Sequence, residues 1–168
     1  MLPDGTSLNW IAHGVLVAAG VAVAEVAGPQ ALVKWPNDGL VDGLKVAGIL
    51  VEGRPQEGWA VLGIGVNVAL REEDFPPELA GRAGTLGLEP DAVEPTLELL
   101  LNSLERWLPA TADAVLEAVR GRDALLNRPV RWLGGEGRGA GIDSGGRLLV
   151  ATEDGQVALD AGEVHLGA

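Results

Sequence analysis

Cysteine is absent from this chain of 168 residues, and histidine occurs only twice, as His13 and His165. The lack of cysteine excludes disulfides, thiolate catalysis and cysteine-type zinc sites. It also agrees with a reducing compartment, so we expect a cytoplasmic protein. The two histidines are too few and too far apart in sequence to suggest a metal cluster, and we expect both to be structural. The sequence therefore predicts no metal-ligating residues.

Positive charge is also scarce. The chain has 12 lysines and arginines against 24 aspartates and glutamates, which gives a formal net charge of −12 at pH 7. Binding to the phosphates of a nucleic acid requires clustered basic residues. An anionic membrane surface makes the same demand. We therefore expect neither a nucleic acid nor a membrane to be a partner of this chain.

Long apolar runs are missing as well. The most apolar N-terminal segment covers residues 14–28, but Glu25 and several glycines interrupt it. It is too short to cross a bilayer, which takes about 20 apolar residues. A signal peptide fits poorly because no basic residue precedes the run, whereas the acidic Asp4 does. The segment is instead typical of a buried helix, with Glu25 facing solvent or a packing partner.

The remaining composition is that of a folded domain, since 47% of the residues are hydrophobic and no low-complexity segment is present. We predict a strand at 6–12, a helix at 14–26 that ends at Gly28-Pro29, and a strand at 31–35. Pro36 then forces an exit from regular pairing. The turn dipeptides that follow predict a loop at 37–43.

Two apolar segments, 45–53 and 59–70, are predicted to form a β-hairpin. Both are too apolar to leave a solvated face, so we expect helices to cover the sheet. Residues 71–91 are loop-like, and leucines at helical spacing then predict an amphipathic helix at 94–108. A second helix is predicted at 111–122. Both helices are expected to support the core.

Composition changes near Leu126. Residues 128–168 contain short apolar segments separated by glycine-rich turns about ten residues apart, a pattern typical of a small β-barrel. A unit of about 40 residues is marginally stable alone, so we expect it to lean on the preceding domain. The sequence thus predicts two domains, at 1–126 and 127–168.

The chain's only two lysines, Lys34 and Lys45, lie in one apolar segment, KWPNDGLVDGLKVAGILVEG at 34–53. Because arginine supplies nearly all other positive charge, a retained lysine suggests a task that arginine's planar fork cannot perform. A lysine at the end of a sheet suits phosphate or carboxylate oxygens. Asn37 and Asp38 add amide and carboxylate groups that would suit an anionic, metal-associated ligand such as a nucleoside triphosphate. The alternative is that Asn37-Asp38-Gly39 is only a tight turn and both lysines extend to solvent.

A second unusual segment is GIGVNV at 63–68. Gly63 and Gly65 interrupt a predicted strand, and Gly48 lies on the facing arm. Glycine inside a strand often marks the close approach of a ligand or of another backbone. A bulge or a packing contact is the alternative. The dinucleotide-binding fingerprint does not apply, because this GxG motif opens no helix.

KWPND at 34–38, KVAGILVE at 45–52 and GIGVNV at 63–68 together resemble the core motifs of the biotin protein ligases, also called biotin–[acetyl-CoA-carboxylase] ligases. NRPVRW at 127–132 and GIDSGGRLLV at 141–150 resemble the C-terminal SH3-like domain of that family. The resemblance covers essentially the whole chain. It implies an α/β (α+β) fold with a mixed sheet covered by helices, as in the biotin ligase/lipoate ligase catalytic domain, followed by a small SH3-like β-barrel.

The resemblance also implies a two-step reaction. Biotin and ATP with Mg²⁺ give biotinyl-5′-AMP and pyrophosphate, and the biotinyl group then passes to a lysine of a biotin carboxyl carrier domain. Lys45 would be the catalytic residue, as the electrostatic stabiliser of the carboxylate and the transferring phosphate. Gly48 would let biotin lie against the strand, Asn37 and Asp38 would hold the ATP and metal side, and Asn67 would contact the nucleotide. The substrate- and nucleotide-binding residues implied by the motifs are Lys34, Trp35, Asn37, Asp38, Gly48, Ile49, Gly63, Gly65 and Asn67.

The chain departs from the family pattern in several places. The glycine- and arginine-rich GRGRxGR loop and the upstream Ser/Thr and Gln contacts to biotin are not among its residues, and Ala140 replaces a family arginine. We therefore expect only the C-terminal portion of the catalytic domain and poor formation of biotinyl-AMP by this chain alone. No DNA-binding helix-turn-helix precedes the motifs. The alternative function is a non-catalytic module for biotin or nucleotide binding, or for dimerisation.

A further expectation concerns assembly. If the strand at 6–12 lacks its partners, an unpaired apolar edge remains, and such an edge tends to pair with another chain. We therefore expect a homodimer with sheet edges in contact and with Trp10 buried.

Overall fold

The computed structural model describes residues 8–54, 57 and 59–167, and the side chains from residue 14 onward within those ranges. Three α-helices, three short 3-10 helices and nine strands occur in these residues. The α-helices are α1 (Leu8–Ala27), α2 (Val93–Trp107) and α3 (Ala112–Arg120). The strands are β1 (Leu32–Lys34), β2 (Asp38–Val41), β3 (Leu44–Arg54), β4 (Trp59–Val66), β5 (Pro129–Trp132), β6 (Gly135–Ile142), β7 (Leu148–Thr152), β8 (Gly155–Leu159) and β9 (His165–Leu166).

The first sheet has the strand order β1-β2-β3-β4, and each neighbouring pair is antiparallel. Helix α1 packs on one face, where Val23 and Ala22 join Val46, Ile49 and Leu100 in a buried cluster. The opposite face of the hairpin is open, since Leu50 is 59% exposed and Val61 is 61% exposed. The expected β3–β4 hairpin is confirmed. Helices cover only one of its faces in the described part of the chain.

Two local predictions are wrong. The strand predicted at 6–12 is helical from Leu8, where it forms the first turns of α1. Its tryptophan and isoleucine favour a strand locally, but the alanine-rich sequence that follows carries the helix through them. Residues 6 and 7, and the side chain of Trp10, lie outside the described residues. The sheet-edge dimer therefore loses the strand on which the expectation was based.

The loop predicted at 37–43 contains strand β2. Gly39 fits into the sheet because it has no side chain: a Cβ there would lie 3.0 Å from Val23 Cγ1 and 3.3 Å from Ala47 Cβ. The turn is limited to Asp42-Gly43, whose φ angles of 51° and 81° join β2 to β3. A two-residue turn with both φ angles positive matches the twist of a hairpin, and Asp-Gly suits it.

Helix α1 confirms the helix predicted at 14–26 and ends at Ala27, just before Gly28. Glu25 on α1 accepts hydrogen bonds from α2, at 2.5 Å from Ser103 Oγ and 2.9 Å from Trp107 Nε1, and it also pairs with Arg106. Glu25 thus has a packing partner, as the sequence indicates. None of the described helices combines the length and the hydropathy that a membrane crossing requires.

The C-terminal strands form a second antiparallel sheet in the order β8-β7-β6-β5-β9. Its core includes Val130, Leu148 and Val150, and Trp35 from the first part of the chain packs into the same cluster. Trp35 is 2% exposed, and its Nε1 donates a hydrogen bond of 3.0 Å to the carbonyl oxygen of Gly146. The strand-rich tail is thus confirmed, and it leans on the first part of the chain. Its closure into an SH3-like barrel and the domain boundary at 126 stay predictions.

Candidate functional site

A cleft of about 850 Å³ opens where β2, β3 and β4 meet the segment 75–83 and strand β9. Seven of the residues that line it come from the three sequence motifs. They are Lys34, Asp38, Lys45, Ala47, Gly48, Gly65 and Asn67. The motifs therefore meet in space, at one end of the first sheet.

The floor of the cleft consists of glycine backbone. Gly48 on β3 lies directly opposite Gly65 on β4 in the antiparallel register. A Cβ at Gly65 would meet no atom within 4 Å, whereas a Cβ at Gly48 would lie 3.3 Å from Lys45 Cε and 3.4 Å from its Nζ. The Lys45 side chain thus lies over Gly48. A flat, backbone-lined floor beside an ammonium group can hold a ring system that carries an anionic group.

The charged part of the cleft is one carboxylate between two ammonium groups. Asp38 Oδ1 lies 2.5 Å from Lys45 Nζ, and Asp38 Oδ2 lies 3.5 Å from Lys34 Nζ. Asp38 and Lys34 are mostly buried, and the Lys45 side chain is 48% exposed. Lys34 Nζ donates a hydrogen bond to Asp38 Oδ2, whereas the contact of Lys45 Nζ with Asp38 Oδ1 is an ion pair without hydrogen-bond alignment. The carboxylate is thus held between the two ammonium groups.

The two asparagines of the motifs hold backbone segments in place. Asn67 Nδ2 donates to the carbonyl oxygen of Gly84 at 2.8 Å, and its backbone nitrogen donates to Val46. Asn37 Nδ2 donates to the carbonyl oxygen of Ile49 at 2.9 Å, and the Asn37 carbonyl accepts from the Ile49 nitrogen. Asn67 lines the cleft beside Lys45 and Gly48. Asn37 does not line it.

Three further predicted site residues also lie outside the cleft lining. Trp35 and Ile49 are both 2% exposed and pack in the core. Gly63 lies opposite Leu50, farther along the hairpin. Trp35 and Ile49 each directly follow a residue that lines the cleft, and Gly63 lies two positions before one. These three residues can therefore support the cleft lining without forming part of it. Direct ligand contact by these three residues and by Asn37 stays a prediction.

The cleft also contains residues that the sequence did not single out. Phe75, Leu79 and Arg82 come from the segment read as a loop, and Glu163 and His165 come from the C-terminal unit. The segment 82–84 is held against β3, because Lys45 donates its N–H to the Arg82 carbonyl at 2.9 Å and accepts from Gly84 at 2.8 Å. The sequence offers one signal that this segment belongs to the site. Its only phenylalanine, Phe75, stands in a charged and proline-rich loop.

Comparisons with known proteins identify the class. Residues 4–68 match the model of the Biotin/lipoate A/B protein ligase family, and residues 125–167 match the model of the Biotin protein ligase C terminal domain. The chain is 34% identical over 164 residues to the biotin–[acetyl-CoA-carboxylase] ligase of Paracoccus denitrificans. The alignment covers 87% of this chain and 68% of that relative.

It is also 32% identical over 167 residues to the bifunctional ligase/repressor BirA of Bacillus spizizenii. This alignment covers 91% of this chain and 51% of that relative. The chain thus spans about half the length of the Bacillus relative.

Solved structures agree. Biotin protein ligase from Aquifex aeolicus superposes with a TM-score of 0.78 at 25% identity, over 95% of this chain and 78% of that chain. The same enzyme in complex with biotin and ATP gives a TM-score of 0.74 at 25% identity, over 95% of this chain and 75% of that chain. The fold is therefore the α+β fold of this ligase class, as the motifs predict. The chain belongs to the biotin protein ligase family.

Proposed function

We propose that this chain activates biotin with ATP, at the low rate expected without the GRGRxGR loop, and transfers the biotinyl group to a lysine of a biotin carboxyl carrier protein. A carboxylate oxygen of biotin attacks the α-phosphorus of ATP, the bond between that phosphorus and the bridging oxygen breaks, and pyrophosphate leaves. The ε-amine of the carrier lysine then attacks the carbonyl carbon, an amide forms, and AMP leaves with the electron pair. The observation that carries the proposal is the cleft, which both lysines of the chain line together with Gly48 and Gly65.

The residues of the cleft fit this chemistry. The backbone floor at Gly48 and Gly65 accommodates the biotin ring system without side-chain contact. The Lys45 ammonium, which lies over Gly48, would stabilise negative charge on the biotin carboxylate and on the transferring phosphate. Lys34 and Arg82 add positive charge on the same cleft. Because the site is partly buried, these charges interact more strongly than they would in water.

Mg²⁺ fits this cleft as a companion of the triphosphate. Among the described residues, no group of three or more histidine and carboxylate side chains could hold a metal ion. The carboxylate of Asp38, which lines the cleft, is one suitable oxygen ligand. Mg²⁺ is often bound by one or two carboxylates together with substrate phosphates. Asp38 would therefore help to hold Mg²⁺, which neutralises phosphate charge, and Asn37 would support Asp38 from the adjacent position.

The remaining partners are proposed on composition and topology. The formal net charge of −12 supports the expectation that neither nucleic acid nor an anionic membrane is a partner. The absence of cysteine supports a cytoplasmic location. A homodimer can still form, now through β4, which is one of the two edge strands of the first sheet.

The proposal is tested by measuring biotin affinity, pyrophosphate release and the mass of an added carrier domain. Lys45→Ala should bind biotin more weakly, because the ammonium group beside the biotin carboxylate is lost, and should also lower the rate of pyrophosphate release by about 10²- to 10³-fold, as expected when a group that stabilises transition-state charge is removed. Arg54→Ala is the matched control, because it removes a positive charge from the exposed far end of the same strand.

Absence of biotin binding to the unaltered chain would refute the proposal. Biotin binding with no pyrophosphate release would favour the non-catalytic binding module. A Lys45→Ala variant as active as the Arg54→Ala control would remove Lys45 from the catalytic role.

A further inference from the structure

Asp38 has an unusual place in the cleft. The carboxylate contacts both lysines of the chain, at 2.5 Å from Lys45 Nζ and 3.5 Å from Lys34 Nζ. Asp38 is a residue of β2, and its partner in the register with β3 is Gly48, not Lys45. The Lys45 side chain must therefore cross Gly48 to reach the carboxylate, and the missing Cβ at Gly48 allows this.

The direction of the Lys45 side chain requires an explanation. Nearly half of this side chain is exposed, and a flexible four-carbon stem in that position ordinarily extends its ammonium group into water. Here the ammonium group lies instead against the glycine floor. Asp38, which is mostly buried and is the first residue of β2, is the group that can hold it there.

The charges of the three groups are matched to a small anion. Two ammonium groups and one carboxylate give a formal net charge of plus one, which a single ligand carboxylate would balance. Other charged or titratable groups that line the cleft are Arg82 on the segment beside β3, and Glu163 and His165 at β9. Glu163 and His165 pair with each other at 3.7 Å.

We propose that Asp38 is a positioning residue for Lys45. While the cleft is empty, its carboxylate holds the Lys45 ammonium over the glycine floor. When a ligand enters, the ligand's anionic group takes over part of that contact, so binding is an exchange of one anion for another. Asp38 thereby lowers the affinity for the anionic ligand but keeps the ammonium group where the reacting phosphorus arrives. The exchange rests on the proposed function, whereas the pairing in the empty cleft does not.

The pairing is tested first, in the free protein. Because the chain has only two lysines, labelling lysine with ¹⁵N at Nζ gives two side-chain NMR signals. Asp38→Asn keeps the shape of the side chain and removes its charge. We expect the Lys45 signal to shift and its hydrogen exchange with water to accelerate. Asp42→Asn, in the turn after β2, removes the same charge outside the cleft lining and should leave the Lys45 signal unchanged. An unchanged Lys45 signal in Asp38→Asn would overturn the proposal.

The exchange is tested by separating binding from turnover. Asp38→Asn should bind biotin at least as tightly as the unaltered chain, while kcat for pyrophosphate release falls by about 10²-fold, the usual effect of a catalytic group displaced by about 1 Å. Asp38→Glu should restore part of kcat. Weaker biotin binding by Asp38→Asn, or a kcat that is restored by raising the Mg²⁺ concentration, would overturn the exchange. If the unaltered chain binds no biotin, the proposed function and the exchange both fail, and the NMR comparison still decides the pairing.

Discussion

Replacing Gly65 by alanine should affect stability and binding in opposite directions. Gly65 lies within β4, has no positive φ angle, and would place a Cβ in open space. Glycine inside a strand costs about 0.5–1 kcal/mol relative to alanine, chiefly through backbone entropy. Because the added methyl group meets no neighbour, we expect the free energy of unfolding of Gly65→Ala to rise by about that amount. Urea denaturation measures this change.

The same methyl group would stand on the floor of the cleft, where the proposed biotin ring system rests. Inserting a methyl group into a well-packed contact costs about 1–3 kcal/mol. That cost corresponds to a dissociation constant raised by about 5- to 150-fold. Titration calorimetry with biotin measures this loss. Gly121→Ala is the matched control, because Gly121 ends α3 with a φ of −74°, and a Cβ there would also meet open space.

A Gly65→Ala chain that is folded and stable but binds biotin normally would refute the glycine floor as the ligand site. Gly63→Ala extends the comparison to the next outward-facing position of β4, beyond the cleft lining. A loss of affinity there as large as at Gly65 would confirm ligand contact at Gly63, which the sequence motif predicts and the cleft lining does not include.

Two further predictions concern stability. Trp35→Phe leaves the buried carbonyl of Gly146 without its donor, so we expect the free energy of unfolding to fall by about 1–3 kcal/mol; an unchanged urea midpoint would contradict this. Burial of Glu25 acts to raise its pKa, but hydrogen bonds from Ser103, Trp107 and Arg106 outweigh it and hold the pKa below the ordinary value of 4.5. The stability that this carboxylate contributes is therefore complete above about pH 4.5 and is lost as the pH falls through its lower folded pKa. Urea midpoints measured against pH should show a shallower acid limb for Glu25→Gln than for the unaltered chain, and superimposable curves would contradict it.

Much of the fold could be predicted because local signals and tertiary packing agree. The alanine- and valine-rich segment of α1 and the apolar arms of β3 and β4 lie where the sequence places them. The failures occur where a distant contact decides. Asp38-Gly39 has the composition of a turn, but Gly39 is instead a site of close packing against Val23 on α1.

The candidate site was predictable to the extent that its residues form continuous motifs. Lys45, Gly48 and Gly65 lie on two strands that are adjacent in sequence, so their meeting follows from the hairpin. Arg82 and His165 reach the same cleft from segments whose position depends on tertiary contacts alone. His165 in particular was expected to be structural. No local sequence pattern shows that a histidine in a short C-terminal strand lines a cleft of the first sheet.

The burial of Trp35 in the core of the C-terminal sheet bears on how this protein can be engineered. Lys34, its neighbour in sequence, lies in the cleft, so the indole group anchors the end of β1 to a separate sheet. A chimera that takes its C-terminal segment from a relative must therefore supply an indole-sized socket with a carbonyl in the place of Gly146. A donor segment that cannot accommodate the indole group would shift Lys34 and would also weaken the contact between the two sheets. The geometry of the cleft and the choice of C-terminal segment therefore cannot be varied independently.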